Sequence, residues 1–265
     1  MDWSKTKSIF IVVFLILDIF LLSLFINKLS NSNPETLGRT NFEDILKADK
    51  IEYPSFSKDL KKEAYISAKT KKFTTADIDE FEEQEINIVN DNTIHSTLSK
   101  PYPLSDKRSP EELKDFMTSF IIDGEKYRFW KYNEEDQTIV YYQTYKDKFL
   151  FHNINGEVTL NLTKENEIVS YKQTMLEDVK AFSGEKKSVY TPIQALQIFY
   201  ENNKIASGSK VENVELGYST LLPKAESQFL TPTWHFTVKN GDNKEDLFLN
   251  AFEGEIIEFT RPDKE

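Results

Sequence analysis

The chain has 265 residues, with 33 Lys+Arg against 44 Asp+Glu and a formal net charge of −11. Its 20 Phe, 12 Tyr and 3 Trp can fill a packed core, which excludes wholesale disorder, and 8 Gly with 9 Pro exclude collagen-like sequence. The acidic balance argues against nucleic acid as a partner, and the absence of Cys excludes disulfides, thiolate metal sites and a lipidated N-terminal cysteine.

Residues 1–8 read as a cytoplasmic N-terminus and residues 9–26 as a transmembrane helix. Only Asp18 and Ser23 interrupt the apolar run from Ile9 to Ile26. At 1.5 Å per residue this run spans roughly 27 Å, against about 30 Å for a bilayer's hydrocarbon core. Lys5 and Lys7 precede it and favour the N-terminus inside. Trp3 suits the inner headgroup level. The run exceeds a secretory h-region and no A-x-A-like site follows, so an uncleaved anchor is favoured over a signal peptide. The expected location is the cell membrane, single-pass, with the C-terminal ectodomain extracellular.

Asp18 is the costly residue of the span, because a carboxylate near the bilayer centre costs about 2.5–3.5 kcal/mol on insertion scales. On a 3.6-residue period it shares a face with Ile11, Phe14, Leu21, Leu22 and Phe25. A single span has no bundle of its own, so this face is expected to pack on partner transmembrane helices with Asp18 bonding across. The alternative is a protonated Asp18 bonded to its own helix, or one tolerated near a thinned bilayer.

Residues 27–38 read as a polar linker. A short helix is expected at Asn41–Leu46 with Asn41 as its cap, then a strand over Glu63–Lys69. The acidic stretch Thr75–Asn90 has helical spacing at Ile78, Phe81 and Glu85 and ends strand-like at Ile86–Val89. Ser109-Pro110-Glu111-Glu112 is a capping box with Pro at the first helical position. Leu113, Phe116, Met117, Phe120 and Ile121 then form one apolar helical stripe. Strands follow at Tyr127–Tyr132, Thr138–Tyr145, Phe149–Ile154, Glu157–Leu162 and Glu167–Met175.

Thr191-Pro192-Ile193-Gln194 repeats the capping logic, and Ile193, Leu196, Phe199 and Tyr200 mark the buried face of a second helix. Strands return at Val211–Ser219, Thr233–Lys239, Asp246–Ala251 and Glu255–Phe259, with Asn240-Gly241 as a tight hairpin turn. Phe149-Leu150-Phe151 precedes Gly156-Glu157-Val158 as Leu247-Phe248-Leu249 precedes Gly254-Glu255-Ile256, which indicates an internal repeat. The expected fold is α+β: the anchor, then an ectodomain of two related lobes, 39–183 and 184–265. Each lobe is a curved antiparallel sheet with a packed helix. Phe129, Tyr141, Phe151, Trp234 and Phe236 are expected in the core.

The chemistry-bearing residues form no recognisable constellation. His95, His152 and His235 fit no paired-ligand spacing and read as strand or loop surface residues. S-x-x-K occurs at Ser4/Lys7, Ser55/Lys58, Ser183/Lys186 and Ser207/Lys210, near the chance rate for a lysine-rich chain, and no K-T-G follows. The runs Glu82-Glu83, Glu111-Glu112 and Glu134-Glu135-Asp136 read as solvated faces or caps. No catalytic, cofactor-binding or metal residue is assigned.

The opening Met1-Asp2-Trp3-Ser4-Lys5-Thr6-Lys7-Ser8-Ile9-Phe10-Ile11, followed at once by the span, resembles the start of the YycI (WalI) family. The single anchor, the Cys-free ectodomain and the two-lobed aromatic-rich body agree over the whole chain. The resemblance implies a non-enzymatic regulator. Its partners would be a YycH-like membrane protein and the sensor histidine kinase YycG (WalK), in a two-component system controlling cell-wall metabolism in Gram-positive bacteria. It also implies that transmembrane helices carry much of the kinase contact. Trp234–Ile257 is similar to the closing hairpin of PepSY-type domains, with Asn250-Ala251-Phe252-Glu253-Gly254-Glu255 in place of D-A-x-T-G-E. That likeness leaves open an inhibitor or chaperone of a secreted hydrolase; an anchored wall-modifying enzyme with dispersed carboxylates is a separate alternative.

Overall fold

A computed structural model describes residues 3–31, 39–56, 60–105, 108–182, 184–220 and 226–259. The chain divides into two compact units, Met1–Glu52 and Tyr53–Glu265. The first holds helices α1 (Trp3–Asn31) and α2 (Arg39–Ala48). Residues 27–31 of the expected linker are the last turn of α1, and 32–38 lie outside the described residues. Asn41 sits inside α2 rather than at its cap, and Phe42 and Leu46 are the buried residues of that helix.

The second unit is mostly sheet. Its strands are β1 (Lys62–Glu63), β2 (Ile66–Thr70), β3 (Gln84–Val89), β4 (Thr93–Pro103), β5 (Tyr127–Asn133), β6 (Thr138–Tyr145), β7 (Lys148–Phe151), β8 (Glu157–Leu162), β9 (Glu167–Gln173) and β10 (Leu176–Ala181). They continue with β11 (Lys187–Ser188), β12 (Lys210–Ser219), β13 (Ser227–Asn240), β14 (Asn243–Asn250) and β15 (Ile256–Ile257). Helix α3 (Pro110–Phe120) precedes β5 and α4 (Pro192–Glu201) precedes β12. Each helix leads into a four-stranded antiparallel meander, β5-β6-β8-β9 after α3 and β12-β13-β14-β15 after α4. The β3–β4 hairpin extends the first meander through β9, and β2 with β10 lines the N-terminal half of β13. Short β7 joins the meanders, antiparallel to β6 and parallel to β12 at two positions only, Leu150↔Tyr218 and Phe151↔Ser219.

Both helices start as their capping residues dictate. Ser109 Oγ accepts from Glu112 N at 3.2 Å, and Thr191 Oγ1 accepts from Gln194 N at 3.4 Å; each N3 side chain bonds back. Leu113, Phe116, Met117 and Ile121 then bury against Ile139, Tyr141, Val158, Leu160 and Tyr171 of the first meander. Phe199 of α4 meets Phe236 of β13 with ring centroids 5.2 Å apart. Buried Gln143 stands in for a strand, accepting from Leu176 N and donating to Leu176 O, both at 2.8 Å. That satisfies backbone groups that burial would otherwise orphan.

Three further expectations need correction. Thr75–Asn90 holds one 3-10 turn, Thr75–Asp77, and then strand β3. Asp77 closes that turn by accepting from Thr74 N at 2.8 Å, and positive φ at Glu83 (63°) turns the chain into the strand. Phe129 is 45% exposed rather than core. It lies on β5, which among the described residues pairs only with β6 and carries a register shift between Phe129 and Lys131. Trp130 packs with the aromatic cluster on one face of the strand, and Phe129, on the opposite face, is left outward beside Tyr141. Tyr141, Phe151, Trp234 and Phe236 are buried as expected. The third correction concerns the histidines.

Candidate functional site

The residues singled out on the span lie on α1. Ile11, Phe14, Asp18, Leu21 and Leu22 are exposed there, within a run from Phe10 to Leu24 whose side chains are all exposed. Lys7 is exposed too. Trp3, Lys5 and Phe25 are helical, but their side chains lie outside the described ones. Among the described residues, no helix is long and apolar enough to cross a membrane.

In the second unit the structure brings together groups that the sequence scatters. His235, on β13, is 2% exposed, so it is not a surface residue. Strand pairing sets its neighbours: Glu215 of β12 lies directly across on one side and Phe248 of β14 on the other. Two residues along, Thr237 faces Asp246. The ring Nε2 is 2.8 Å from Asp246 Oδ1. Nδ1 faces Glu215 Oε1 at 3.7 Å, within ion-pair range and beyond a hydrogen bond. Thr237 Oγ1 donates to Asp246 Oδ1 at 3.2 Å. From the first meander, Arg128 Nη2 donates to Glu215 Oε2 at 2.6 Å, while the guanidinium lies 3.5 Å over the Phe149 ring.

Aromatic rings shield the imidazole from water, while Asp246, Glu215 and Arg128 stay partly exposed. Phe248 stacks on the His235 ring at 4.8 Å with a 21° interplanar angle, Trp130 lies 4.8 Å away, and Phe151 lies 5.4 Å away. His152 is drawn into the same cluster, 5.1 Å from Phe248 and stacked on Phe259 at 4.4 Å, with Nδ1 3.2 Å from the Tyr142 hydroxyl. Only His95 stays exposed on its strand.

The electrostatics follow from this packing. Burial pushes the His235 pKa down, but the bond to Asp246, then Glu215, outweighs burial and holds it above its ordinary value. Burial raises Glu215, yet His235 and Arg128 hold it below the usual carboxylate range. Asp246 is likewise raised by burial and lowered further by His235, Thr237 and Lys131. Glu157 on β8 goes the other way, because burial raises it more than Thr159, Lys172 and Lys131 lower it. Glu157 and Asp246 both push up the Tyr142 hydroxyl, which burial has already raised. Glu157 lies in a groove of about 370 Å³ with His95, Thr97, Thr159, Ser170 and Lys172 on the outer face of the first meander.

Chemically, the His235 network sets charged groups around an imidazole packed among aromatic rings. Arg128 and the His235 imidazole face two carboxylates, the imidazole is shielded from solvent, and the Thr237 hydroxyl is bonded to Asp246. Among the described residues no group of three His, Asp or Glu side chains is arranged to hold a metal ion. The hairpin turn was the sequence signal that bore on this site. Asn240 pairs with Asn243 across Gly241-Asp242, with φ +61° at Gly241, and that register sets Phe248 opposite His235. Nothing in the sequence placed Arg128 and Trp130 there, since they arrive from another meander.

Solved structures similar to this chain share little sequence with it. An uncharacterized protein from Eubacterium rectale is 11% identical with a TM-score of 0.47, and the match covers 80% of this chain and 92% of that one. The C-terminal domain of Bacillus megaterium YpeB is 13% identical with a TM-score of 0.40, covering 72% of this chain and 100% of that one. YycH from Bacillus subtilis is 13% identical with a TM-score of 0.38, covering 80% and 62% respectively. No curated protein matches the chain. The YycI protein family model matches residues 30–252, most of the length, and the chain belongs to the YycI family.

Proposed function

We propose that this chain is a membrane-anchored extracytoplasmic regulator that binds a sensor histidine kinase and a YycH-like membrane protein and so modulates two-component control of cell-wall metabolism. The match of residues 30–252 to the YycI family carries the reading, because that family is regulatory and non-enzymatic. Anchoring rests on the apolar run from Ile9 to Ile26 and on the lysines before it, with Trp3, Lys5 and Lys7 setting topology. The kinase contact is assigned to the α1 face of Ile11, Phe14, Asp18, Leu21, Leu22 and Phe25, where a partner helix would relieve the cost of Asp18. The matching order of a Pro-initiated helix and a four-stranded meander supports reading 39–183 and 184–265 as related lobes.

Regulation of this kind is a population shift. The complex must bind the kinase's two signalling states with different affinity, or it shifts nothing. The test is a membrane pull-down comparing the full-length chain with a version whose residues 9–26 are replaced by an unrelated span. Recovery of an autophosphorylating histidine kinase with the native span alone is the expected result. A kinase that persists after the swap moves the contact to the ectodomain, and no kinase in either case removes the regulator reading.

A further inference from the structure

Strand β3 ends the sheet on the side of the first meander and, among the described residues, pairs with β4 alone. We propose that its outer edge is a docking site for an extended, lysine-rich segment of a partner protein, which adds to the sheet as one more strand. The site goes beyond the regulator reading and uses none of the α1 residues to which the kinase contact is assigned.

Hydrogen-bond alternation fixes which backbone groups face outward. In an antiparallel ladder every second residue bonds to one neighbouring strand, and the residues between turn to the other side. Ser99 N donates to Glu83 O at 2.8 Å, in the register that pairs Glu85 with Thr97 and Asn87 with His95. Odd-numbered residues of β3 therefore bond to β4. The other side of β4 gives the same phase. Thr174 N donates to Glu157 O at 2.9 Å, so Tyr171 and Gln173 bond to Ser96 and Ile94, which leaves His95 and Thr97 for β3. Gln84, Ile86 and Ile88 thus turn their N–H and C=O groups away from β4. Among the described residues no backbone group bonds to them there.

The edge is held in place and lacks the usual guards. Gln84 accepts from Ser96 Oγ at 2.6 Å and donates to the Phe120 carbonyl at 3.2 Å, while Ile86 and Ile88 pack half-buried on the core. Sheet edges are normally blunted by bulges, Pro, Lys or short length. β5 and β10 are bulged, and β15 has two residues. β3 has six residues in unbroken register, with no Pro and no Lys. Charge then selects the occupant. Residues 73–99 hold seven carboxylates and no Lys or Arg. Lys71 bonds Asp77 at 2.8 Å, but Glu82 and Glu83 lead into the strand and Glu85 is exposed on it. A second copy of this chain is disfavoured, since pairing β3 with itself would set these acids against one another. A strand with Lys beside Glu85 and apolar residues beside Ile86 and Ile88 suits both faces. It would also cover Val89, which is 41% exposed.

The test uses the full-length chain in nanodiscs of zwitterionic lipid, which do not attract a cationic probe. The probe is a capped nonapeptide of alternating Lys and Val. In the free chain the Gln84, Ile86 and Ile88 amides are expected to exchange fast, and the Glu85 and Asn87 amides slowly. Peptide at about ten times its Kd should slow the fast set by about tenfold. Ile86→Pro removes an outward N–H, spares the β4 ladder and should abolish binding. Glu85→Gln should weaken binding about two- to fivefold at low salt, and less at high salt. Slow exchange of the Gln84, Ile86 and Ile88 amides in the free chain overturns the open edge. No gain in protection at millimolar peptide overturns the docking site, and equal affinity for a Glu/Val peptide overturns the charge preference. If Ile86→Pro does not fold, the Lys/Val peptide with methylated backbone amides takes its place, and undiminished binding overturns strand pairing. A dimer of the free chain that Ile86→Pro dissociates gives the edge to a second copy and overturns the lysine-rich partner. None of these outcomes depends on whether a kinase is recovered, so failure of the docking site and failure of the regulator reading are told apart.

Discussion

Gly217 on β12 is the tightest point in the joint between the meanders, and Gly217→Ala measures that joint. A Cβ there would lie 2.4 Å from Phe151 Cε2, 2.8 Å from Phe151 Cζ and 2.6 Å from the Phe149 carbonyl oxygen. The Phe151 ring cannot swing aside. It is fully buried, with Phe149, Trp130, Phe248 and His235 at centroid distances of 5.6, 5.8, 5.4 and 5.4 Å. The carbonyl belongs to β7, whose next two residues pair with β12. Overpacking a filled core costs about 1–3 kcal/mol, and two immovable obstacles place this substitution at the upper end. Removing a glycine from the unfolded chain returns about 0.4–1 kcal/mol. The net expectation is a loss of about 2 kcal/mol. For a body of this size that lowers Tm by roughly 4–8 °C, read by near-ultraviolet circular dichroism of the full-length chain in detergent. Gly184→Ala is the control, since its nearest atom is the Phe182 carbonyl oxygen at 3.9 Å, and it should stay within about 0.5 kcal/mol of the parent. A Gly217→Ala protein as stable as that control would refute the tight joint.

Other outcomes follow from the same structure. His235 has a raised folded pKa, so its contribution is complete below about pH 6.5 and is lost as pH rises through the folded value. Glu215 and Asp246 have lowered folded pKa values, so theirs is present above about pH 4 and is lost as pH falls through the folded values. Urea midpoints should therefore peak between the two limbs, and His235→Gln should flatten the alkaline limb; an unchanged limb in that variant contradicts the assignment. Ser109→Ala removes the acceptor for Glu112 N and should cost about 1 kcal/mol, again read by urea unfolding, with no change meaning that the α3 cap is redundant. Asp18→Leu should insert normally yet weaken kinase co-purification, and unchanged recovery would take Asp18 out of the contact.

Legibility differed by element for physical reasons. The starts of α3 and α4 could be read residue by residue, because a capping box is satisfied within four positions of one chain segment. The β5–β9 strands and the second meander followed from period-two alternation. β4 was not anticipated, because its inward positions include Ser96 between Ile94 and Leu98, and Pro101 and Pro103 interrupt its end. β10 was missed as well; it is an edge strand whose outer residues are polar and whose ladder is bulged between Glu177 and Lys180. Asp77 read as part of an acidic run, yet it is a capping residue. The bond from Lys71 is the main reason its pKa is held at about 2.

The sequence by itself settled the apolar N-terminal run, the two Pro-capped helices, the sheet-rich α+β body and the YycI likeness, because each is carried by residues near one another along the chain. It could not reveal that His235 is buried between Glu215 and Asp246, with Arg128 and Trp130 arriving from the other meander. Those five residues span positions 128 to 246, and their neighbours depend on strand register, on one bulge in β5 and on a two-residue parallel pairing. A one-residue slip in any of these would turn the side chains to the opposite face. The charge network is therefore a property of the tertiary structure, since only the completed sheet brings its members within reach of one another.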